Sequence, residues 1–502
     1  MKPLNILFLL TDQQRFDTLG LLNPHIKTPN LDRLARSGIT FTRAFAPSPV
    51  CLPCRASLMA GQYPSTHGAT HNHAQLSQSH LPTMATPFRR AGYHTHIIGK
   101  SHLAPCHDPT SFESAPHIHN RGFFRNWRGP WYDFERADIN IGHSTEKHAC
   151  GMHYGVWLEE RGIDTSKYFG HTRYDQYGPW DLPLEHHNSA WIAETVIKSI
   201  DDAQHRNRPF LLWANFQDPH NPCMVPEPYA SMYDPNAIPT FGFKPGEPDC
   251  FKDKPPFYRD LLAQPGEYAC KPTDPLMTSA GNVSHLPFTA QQTQQNAACY
   301  YGMVSLIDYH VGRILDHLER LGLRENTLVV FASDHGDLLG DHGLWWKSLV
   351  CYDESIRVPL IASLPGRLAQ NQISRAFQSL VDLPTTFCDL AGVERPHQFE
   401  GVVQTPAWCD AAKSVRNDVI VEERPFNTAW AQRILINDTH KLAFYANCPY
   451  GELYDVNADP HHIHNLWSRA EHQSLKFDML TRIASHDAGK RRPNPPTPMV
   501  AT

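Results

Sequence analysis

Cys51-Leu52-Pro53-Cys54-Arg55-Ala56-Ser57-Leu58-Met59-Ala60-Gly61-Gln62-Tyr63 sets a cysteine, a proline and an arginine ahead of a short run of helix formers. Pro53 presets φ where a helix begins, Ala56 to Ala60 continue it, and Gly61 stops it. Cys51 therefore stands at a helix N-terminus, where unpaired backbone N–H groups and the positive dipole end favour an anion. Arg55, one turn on, adds a permanent bidentate donor, so the pocket suits a sulfate or a phosphate.

Two other readings share these residues. Cys51 and Cys54 form a C-x-x-C, which leaves a redox pair or half of a zinc site open, although no second C-x-x-C follows. The interval from Cys51 to Arg55 is too short for the cradle of a cysteine phosphatase.

Working outward, Ile6–Leu10 is an apolar run of strand length that stops at Thr11-Asp12. The stretch 28–38 has an N-cap, a proline at N1, apolar residues at helical spacing and a glycine stop, and Ile39–Phe45 alternates like a strand leading to Cys51. A helix at 83–92 and a strand at 93–100 put Lys100 at a strand's C-terminal end, where open α/β sheets bind ligands. From about 104 to 190 the rhythm breaks into a Trp-, His- and Arg-rich insertion of loops and short elements. A helix at 190–203 and a strand at 209–216 follow, then a Pro- and Gly-rich stretch over 221–285. A long amphipathic helix carries Met303, Leu306, Ile307, Val311, Ile314, Leu315 and Leu318, and the apolar strand 327–332 runs into Ser333-Asp334-His335-Gly336-Asp337. A strand at 358–364 and a helix at 381–391 complete a main unit over 1–394. Short alternating segments at 419–422, 431–436 and 440–445 predict an antiparallel C-terminal subdomain over 395–502, ending in a Pro-rich tail after Arg491.

The chain of 502 residues is 41% hydrophobic, ample for a large core, and its net charge of -6 makes nucleic acid and anionic membranes poor partners. No stretch is long and apolar enough to span a membrane. With twelve cysteines and no secretory signal, reduced thiols and a cytoplasmic location are expected, although a trimmed periplasmic protein would read the same way.

Asp12 and Gln13 follow one strand, and Asp334 and His335 another. A parallel sheet brings such ends together, and hard ligands there suit Ca²⁺, or Mg²⁺, beside the nucleophile. The plainer alternative is helix capping after strands.

Cys-x-Pro-x-Arg followed by Ala-Ser-Leu-x-x-Gly resembles the signature of the formylglycine-dependent sulfatases, and the likeness extends from Asp12 to Leu466. It implies an alkaline-phosphatase-like sulfatase fold: α/β, with a large, mostly parallel sheet flanked by helices plus a smaller C-terminal antiparallel sheet. By the same resemblance Cys51 is oxidised to formylglycine by a formylglycine-generating enzyme, and its hydrate attacks sulfur to form a covalent sulfo-enzyme. Cys54 stands where the family usually has serine or alanine. Asp12, Gln13, Cys51, Asp334 and His335 map to the metal site. Gly99-Lys100-Ser101-His102-Leu103 resembles the family's Gly-Lys-x-His-Leu, which gives Lys100 and His102 sulfate and aldehyde-hydrate contacts. Asp218-Pro219-His220-Asn221-Pro222 makes His220 the group that meets the leaving alcohol, and Lys347 matches an oxygen-binding lysine. Gln13 and His335 also occur in related phosphonate and phosphodiester hydrolases, the alternative activity. A glycan-binding protein with unconverted Cys51 is the alternative from outside catalysis. Asn72 and His73 read as further substrate contacts. Arg125, Trp127, Arg128, Trp131, His143, His148 and His153 read as a ring for a sulfated saccharide, with a satisfied loop core as the competing explanation.

Overall fold

The structure, a computed structural model, describes residues 2–79, 82–106, 108–170, 175–239, 251–264, 282–425 and 430–489. The Pro-rich tail after Arg491 and parts of the 221–285 stretch lie outside the described residues.

The main sheet is built from β1 (Asn5–Thr11), β2 (Ile39–Phe45), β3 (His94–Lys100), β4 (Arg136–Asn140), β5 (Phe210–Asn215), β6 (Thr327–Ser333), β7 (Arg357–Ser363) and β8 (Gln372–Ser374). Their spatial order is β8-β2-β7-β6-β1-β5-β3-β4, with Gln378–Ser379 adding a ninth short strand beside β2. Only β7 among these runs against its neighbours, so the sheet is mostly parallel. The expected insertion over 104–190 contributes β4, an edge strand paired with β3, which its alternating charges Arg136 and Asp138 had concealed.

Among the described residues, the helices of eight residues or more are α1 (Pro29–Arg36), α2 (Cys51–Ala60), α3 (Met152–Glu159), α4 (Asn188–His205), α5 (Ala290–Arg320), α6 (Leu383–Ala391) and α7 (Gln473–Gly489). β1 is buried along its whole length: Ile6, Phe8 and Leu10 enter the core on one face with residues of α2 and α6, while Leu7 and Leu9 pack on the other with residues of α1, α4 and α5. A strand covered on both faces needs an unbroken apolar run, which Ile6–Leu10 supplies.

All ten residues of α2 are buried, and it ends at Gly61 with φ 63°. A side chain there would be strained by φ and would meet the Phe399 ring at 2.5 Å, so glycine is needed.

The C-terminal strands β9 (Asp418–Glu423), β10 (Gln432–Asn437), β11 (His440–Tyr445) and β12 (Gly451–Asp455) form an antiparallel sheet in that order. Ile420, Leu435, Leu442 and Leu453 pack on Met479 and Ile483 of α7, while Val419, Val421, Ile434 and Ile436 share a core with Leu338, Leu344, Leu349 and Val350. The second face is thus built against the loop that carries Lys347.

Candidate active site

Five adjacent parallel strands end at one rim. β6 delivers Asp334 and His335, β1 delivers Asp12 and Gln13, β5 ends at Asn215, β3 ends at Lys100, and β4 leads on to His143. β2 leads to Cys51 at the start of α2. Asp12, Gln13, Cys51, Arg55, Lys100, Asp334 and His335 are each exposed by 1% or less.

Cys51 Sγ lies 3.1 Å from His335 Nε2 and 3.8 Å from Asp12 Oδ1. Val50, which precedes α2, provides no side-chain cap; Asn72 Oδ1 instead accepts the Leu52 N–H at 3.2 Å. Asn72 thus caps the helix that presents Cys51. His73 is exposed, with its backbone N–H on His71 Nδ1 at 3.2 Å.

Arg55, expected to offer its fork to an anion, spends most of that fork on the protein frame, and only Nη2 makes no hydrogen bond. Its Nε donates to Asp334 Oδ2 at 2.8 Å, and Nη1 donates to the Lys100 carbonyl at 2.9 Å and to Asn215 Oδ1 at 3.0 Å. Nη2 stands 3.6 Å from Asp12 Oδ2. The guanidinium therefore ties three strand ends together.

Burial works against charge on both Arg55 and Asp12, but their partners outweigh it. Asp334 and Asp12 raise the Arg55 pKa, while Lys100, His220, His143 and Arg55 hold the Asp12 carboxyl well below the usual range. Burial and then Asp12 push the Cys51 thiol up, and burial and Asp334 push Cys54 well up. Neutral, desolvated thiols are poor redox nucleophiles, which argues against a C-x-x-C redox centre.

One potential ligand atom from each of Asp12, Cys51, Asp334 and His335 lies within 4.8 Å of the others. His335 Nδ1–H donates to the Gly336 carbonyl at 2.8 Å, leaving the Nε2 lone pair to face Asp12 Oδ1 at 3.6 Å and Asp334 Oδ1 at 3.7 Å. The Gln13 N–H donates to Asp334 Oδ1 at 3.1 Å; its side-chain amide donates to Asn221 Oδ1 at 2.9 Å and to Asp337, so Oε1 faces Lys347. Two carboxylates and an oriented imidazole fit a divalent cation, while the Gln13 amide oxygen, the expected further ligand, faces the Lys347 ammonium. Asp12, His143 and His220 also cluster. There, however, the Lys100 ammonium bridges Asp12 and His143, and Lys347 Nζ meets His220 Nε2 at 2.7 Å. Two ammonium groups repel a second cation and suit an anion.

Three histidines line this side. His102 is buried in left-handed backbone, φ 51°, and neither ring nitrogen has a hydrogen-bond partner. Its loop is held by Glu113 Oε2, which accepts the Leu103 and Ala104 N–H groups at 2.9 and 3.1 Å, and by Trp131 Nε1–H, which donates to Ser101 Oγ at 2.8 Å. Burial, Lys100 and Arg55 keep the His102 pKa well below its usual value, so the ring is neutral and able to accept a proton. His220 donates from Nδ1 to the Asn221 carbonyl at 2.6 Å and stacks on His143 with ring centroids 3.4 Å apart. Burial, His143 and Lys347 push its pKa well down too.

The structure disperses the residues of the expected saccharide ring. Of its seven members only His143 joins the cluster around Lys100. Trp131 buttresses the His102 loop. Trp127 stacks on Phe123 and His153, and His153 is fixed between the Ile139 N–H at 2.9 Å and the Trp127 carbonyl at 2.8 Å. Arg128 pairs with Asp138, Arg125 pairs with Glu159 at 3.0 Å, and His148 lies beside His119. An insertion with few aliphatic runs must build its core from aromatic residues, and these are used for that. Asn215, Asp337 and Glu113 were not singled out from the sequence; Asn215 and Asp337 sit at or just beyond strand ends, which was the available signal.

The comparisons agree with this geometry. Residues 4–393 match the family model described as Sulfatase, and residues 340–488 match the model of the N-sulphoglucosamine sulphohydrolase C-terminal region. An arylsulfatase of Clostridium perfringens is 28% identical over 96% of this chain and 94% of its own. An N-acetylglucosamine-6-O-sulfatase of Bacteroides thetaiotaomicron is 23% identical over 95% and 85%. The solved phosphonate monoester hydrolase of Agrobacterium radiobacter superposes with a TM-score of 0.79 at 24% identity, covering 97% of this chain and 95% of its own, which speaks to the fold alone. A cysteine at a buried helix start, ringed by carboxylates and ammonium groups and carried on a chain that matches the family model almost throughout its main sheet, has one consistent account: the protein belongs to the sulfatase family and is a sulfuric ester hydrolase.

Proposed function

We propose that the protein hydrolyses a sulfate ester on a carbohydrate, using the hydrated aldehyde derived from Cys51 as nucleophile and a divalent cation, Ca²⁺ or Mg²⁺, held by Asp12, Gln13, Asp334 and His335. The observation that supports this most is the placement of Cys51 Sγ 3.1 Å from His335 Nε2, with Lys100 and Lys347 in the same buried cluster. The ion would supply Lewis-acid polarisation of a sulfuryl oxygen. Lys100 and Lys347 bind the remaining sulfuryl oxygens as point charges. His220 Nε2, which accepts from the Lys347 ammonium at 2.7 Å, takes up a proton from it and passes that proton to the leaving alkoxide, leaving Lys347 as the neutral amine until it is reprotonated. His102, with both nitrogens unpartnered, takes the proton of the second geminal hydroxyl as sulfate is expelled. In this reading residues 1–394 form the catalytic domain and 395–502 a subdomain. The sugar-directed preference draws support from the similarity to the N-acetylglucosamine-6-O-sulfatase, and in this reading Asn72 and His73 are further substrate contacts.

Gln13 and His335 favour a second reading, hydrolysis of a phosphonate monoester or phosphodiester. Mass spectrometry of the Cys51 peptide, from protein made with a maturation enzyme, is expected to show a loss of about 18 Da. Such protein is then assayed on sulfated glucosamines, 4-nitrophenyl sulfate and the matched phenylphosphonate ester. Faster turnover of sulfates supports the proposal; faster phosphonate turnover favours the second reading. A retained thiol removes the proposed nucleophile.

A further inference from the structure

The segment carrying Lys347 runs through left-handed backbone on both sides, with φ 70° at Trp346, 86° at Ser348 and 57° at Leu349. Residues with side chains keep such angles only where their surroundings over-determine them. Upstream, Asp337 Oδ1 accepts the Leu339 N–H at 2.6 Å and the Trp346 N–H at 3.2 Å, and the Trp346 carbonyl accepts the Leu338 N–H at 2.7 Å. Downstream, the partners come from the C-terminal sheet. Glu423, the last residue of β9, accepts the Ser348 hydroxyl on one carboxylate oxygen and the Leu349 N–H on the other at 2.7 Å. Gln432, the first residue of β10, donates from Nε2 to the Leu349 carbonyl at 2.8 Å. Glu423 and Gln432 are direct cross-strand partners, and both are buried. A single rung of that sheet therefore grips both backbone polar groups of Leu349.

We propose that Glu423 and Gln432 are positioning residues for Lys347: by clamping Ser348 and Leu349 they hold the Lys347 ammonium against Gln13 and His220. This rests on the role given to Lys347 above. The C-terminal sheet then contributes to turnover without touching substrate. The two oxygens of Glu423 accept from two donors. A glutamine could keep both contacts by accepting the Leu349 N–H on its oxygen and donating its NH₂ to Ser348 Oγ, whereas an alanine leaves both without a partner.

The test is a double-mutant cycle on aldehyde-bearing protein, reading kcat/KM for 4-nitrophenyl sulfate well below the melting temperature of every variant. Glu423→Ala and Gln432→Ala are each expected to lower kcat/KM about tenfold or more, since small misplacements of a catalytic group are costly. In a Lys347→Ala background, Glu423→Ala is expected to change it by less than about twofold, as residues acting through one group are not additive. Wild-type kcat/KM in Glu423→Ala, or the same loss with and without Lys347, overturns the clamp. Full activity in Lys347→Ala overturns the role of Lys347 and the inference with it, so the two failures are distinct. Should Glu423→Ala not fold, Ser348→Ala, which removes one hydrogen bond, enters the same cycle with the same expected non-additivity.

Discussion

Replacing Arg55 by lysine keeps a positive charge in the floor of the site and removes the fork. The guanidinium reaches Asp334 at 2.8 Å, the Lys100 carbonyl at 2.9 Å and Asn215 Oδ1 at 3.0 Å. An ammonium that stays with Asp334 cannot also reach the other two, so two buried acceptors lose their donor. At about 1–3 kcal/mol for each, the loss is about 2–6 kcal/mol. The melting temperature falls by about 1–2 °C per kcal/mol when the sensitivity of smaller domains is scaled to this length, so Arg55→Lys is expected to melt about 2–12 °C lower. Because the Lys100 carbonyl is among the lost contacts, the Lys100 ammonium shifts as well, and a displacement near 1 Å costs about a hundredfold in turnover. The assay pairs thermal melts followed by near-UV circular dichroism with kcat/KM on 4-nitrophenyl sulfate. Aldehyde content of each sample is measured by mass spectrometry, since Arg55 is part of the signature around Cys51. A variant with wild-type melting and turnover at equal aldehyde content would refute the argument that Arg55 ties the strand ends together.

Asn72→Ala removes the cap on the Leu52 N–H and is expected to destabilise by about 1 kcal/mol, measured as a small drop in melting temperature. Glu113 is pushed up to about 7 by burial, against the Ser101 and backbone hydrogen bonds that favour its carboxylate. Stability from its protonated form is thus complete below the unfolded value near 4.5 and lost as pH rises through about 7. Glu113→Gln keeps an acceptor for Leu103 and Ala104 and should raise the melting temperature at pH 8 while leaving it nearly unchanged at pH 4. His94 is held near 4 by burial and by His96, so its contribution, about 3 kcal/mol, is present above the unfolded value near 6.5 and lost as pH falls toward about 4. His94→Gln should flatten that limb of a melting-temperature profile. Dialysis against EDTA is expected to lower the melting temperature and abolish turnover, with restoration by Ca²⁺ or Mg²⁺. Unchanged melting and turnover after metal analysis shows the ion gone would contradict the ligand assignment.

Much of the fold was legible wherever one physical demand acted on consecutive residues. β1, β2 and β6 read as strands because both faces or alternating faces must be covered. The start of α5 was missed: Met303 to Leu318 show the helical period, but the helix begins thirteen residues before Met303, at Ala290, and Ala290 is followed by the polar run Gln291 to Asn296. Its signal was the capping box of Thr289 and Gln292 rather than any apolar spacing. β4 was hidden because Arg136 and Asp138 are ion-paired with each other on the sheet edge. Trp131 and His153 looked like ligand-binding residues because composition does not distinguish an indole that faces a sugar from one that braces a loop.

The amino-acid sequence alone determined the strand ends and the helix start from which the site is made. Asp12 and Asp334 each follow an apolar run, Lys100 closes a strand of β-branched and histidine residues, and the glycine after α2 was unavoidable; these depend on backbone geometry and burial over a few residues. Only the tertiary structure decided which way the side chains turned. Most of the Arg55 fork faces the frame, His143 left the expected ring for the cluster around Lys100, and Ser348 and Leu349 beside Lys347 are bonded to a rung of sheet some eighty residues later. Those outcomes follow from which buried donors and acceptors meet when distant strands come together, and no local pattern carries that information.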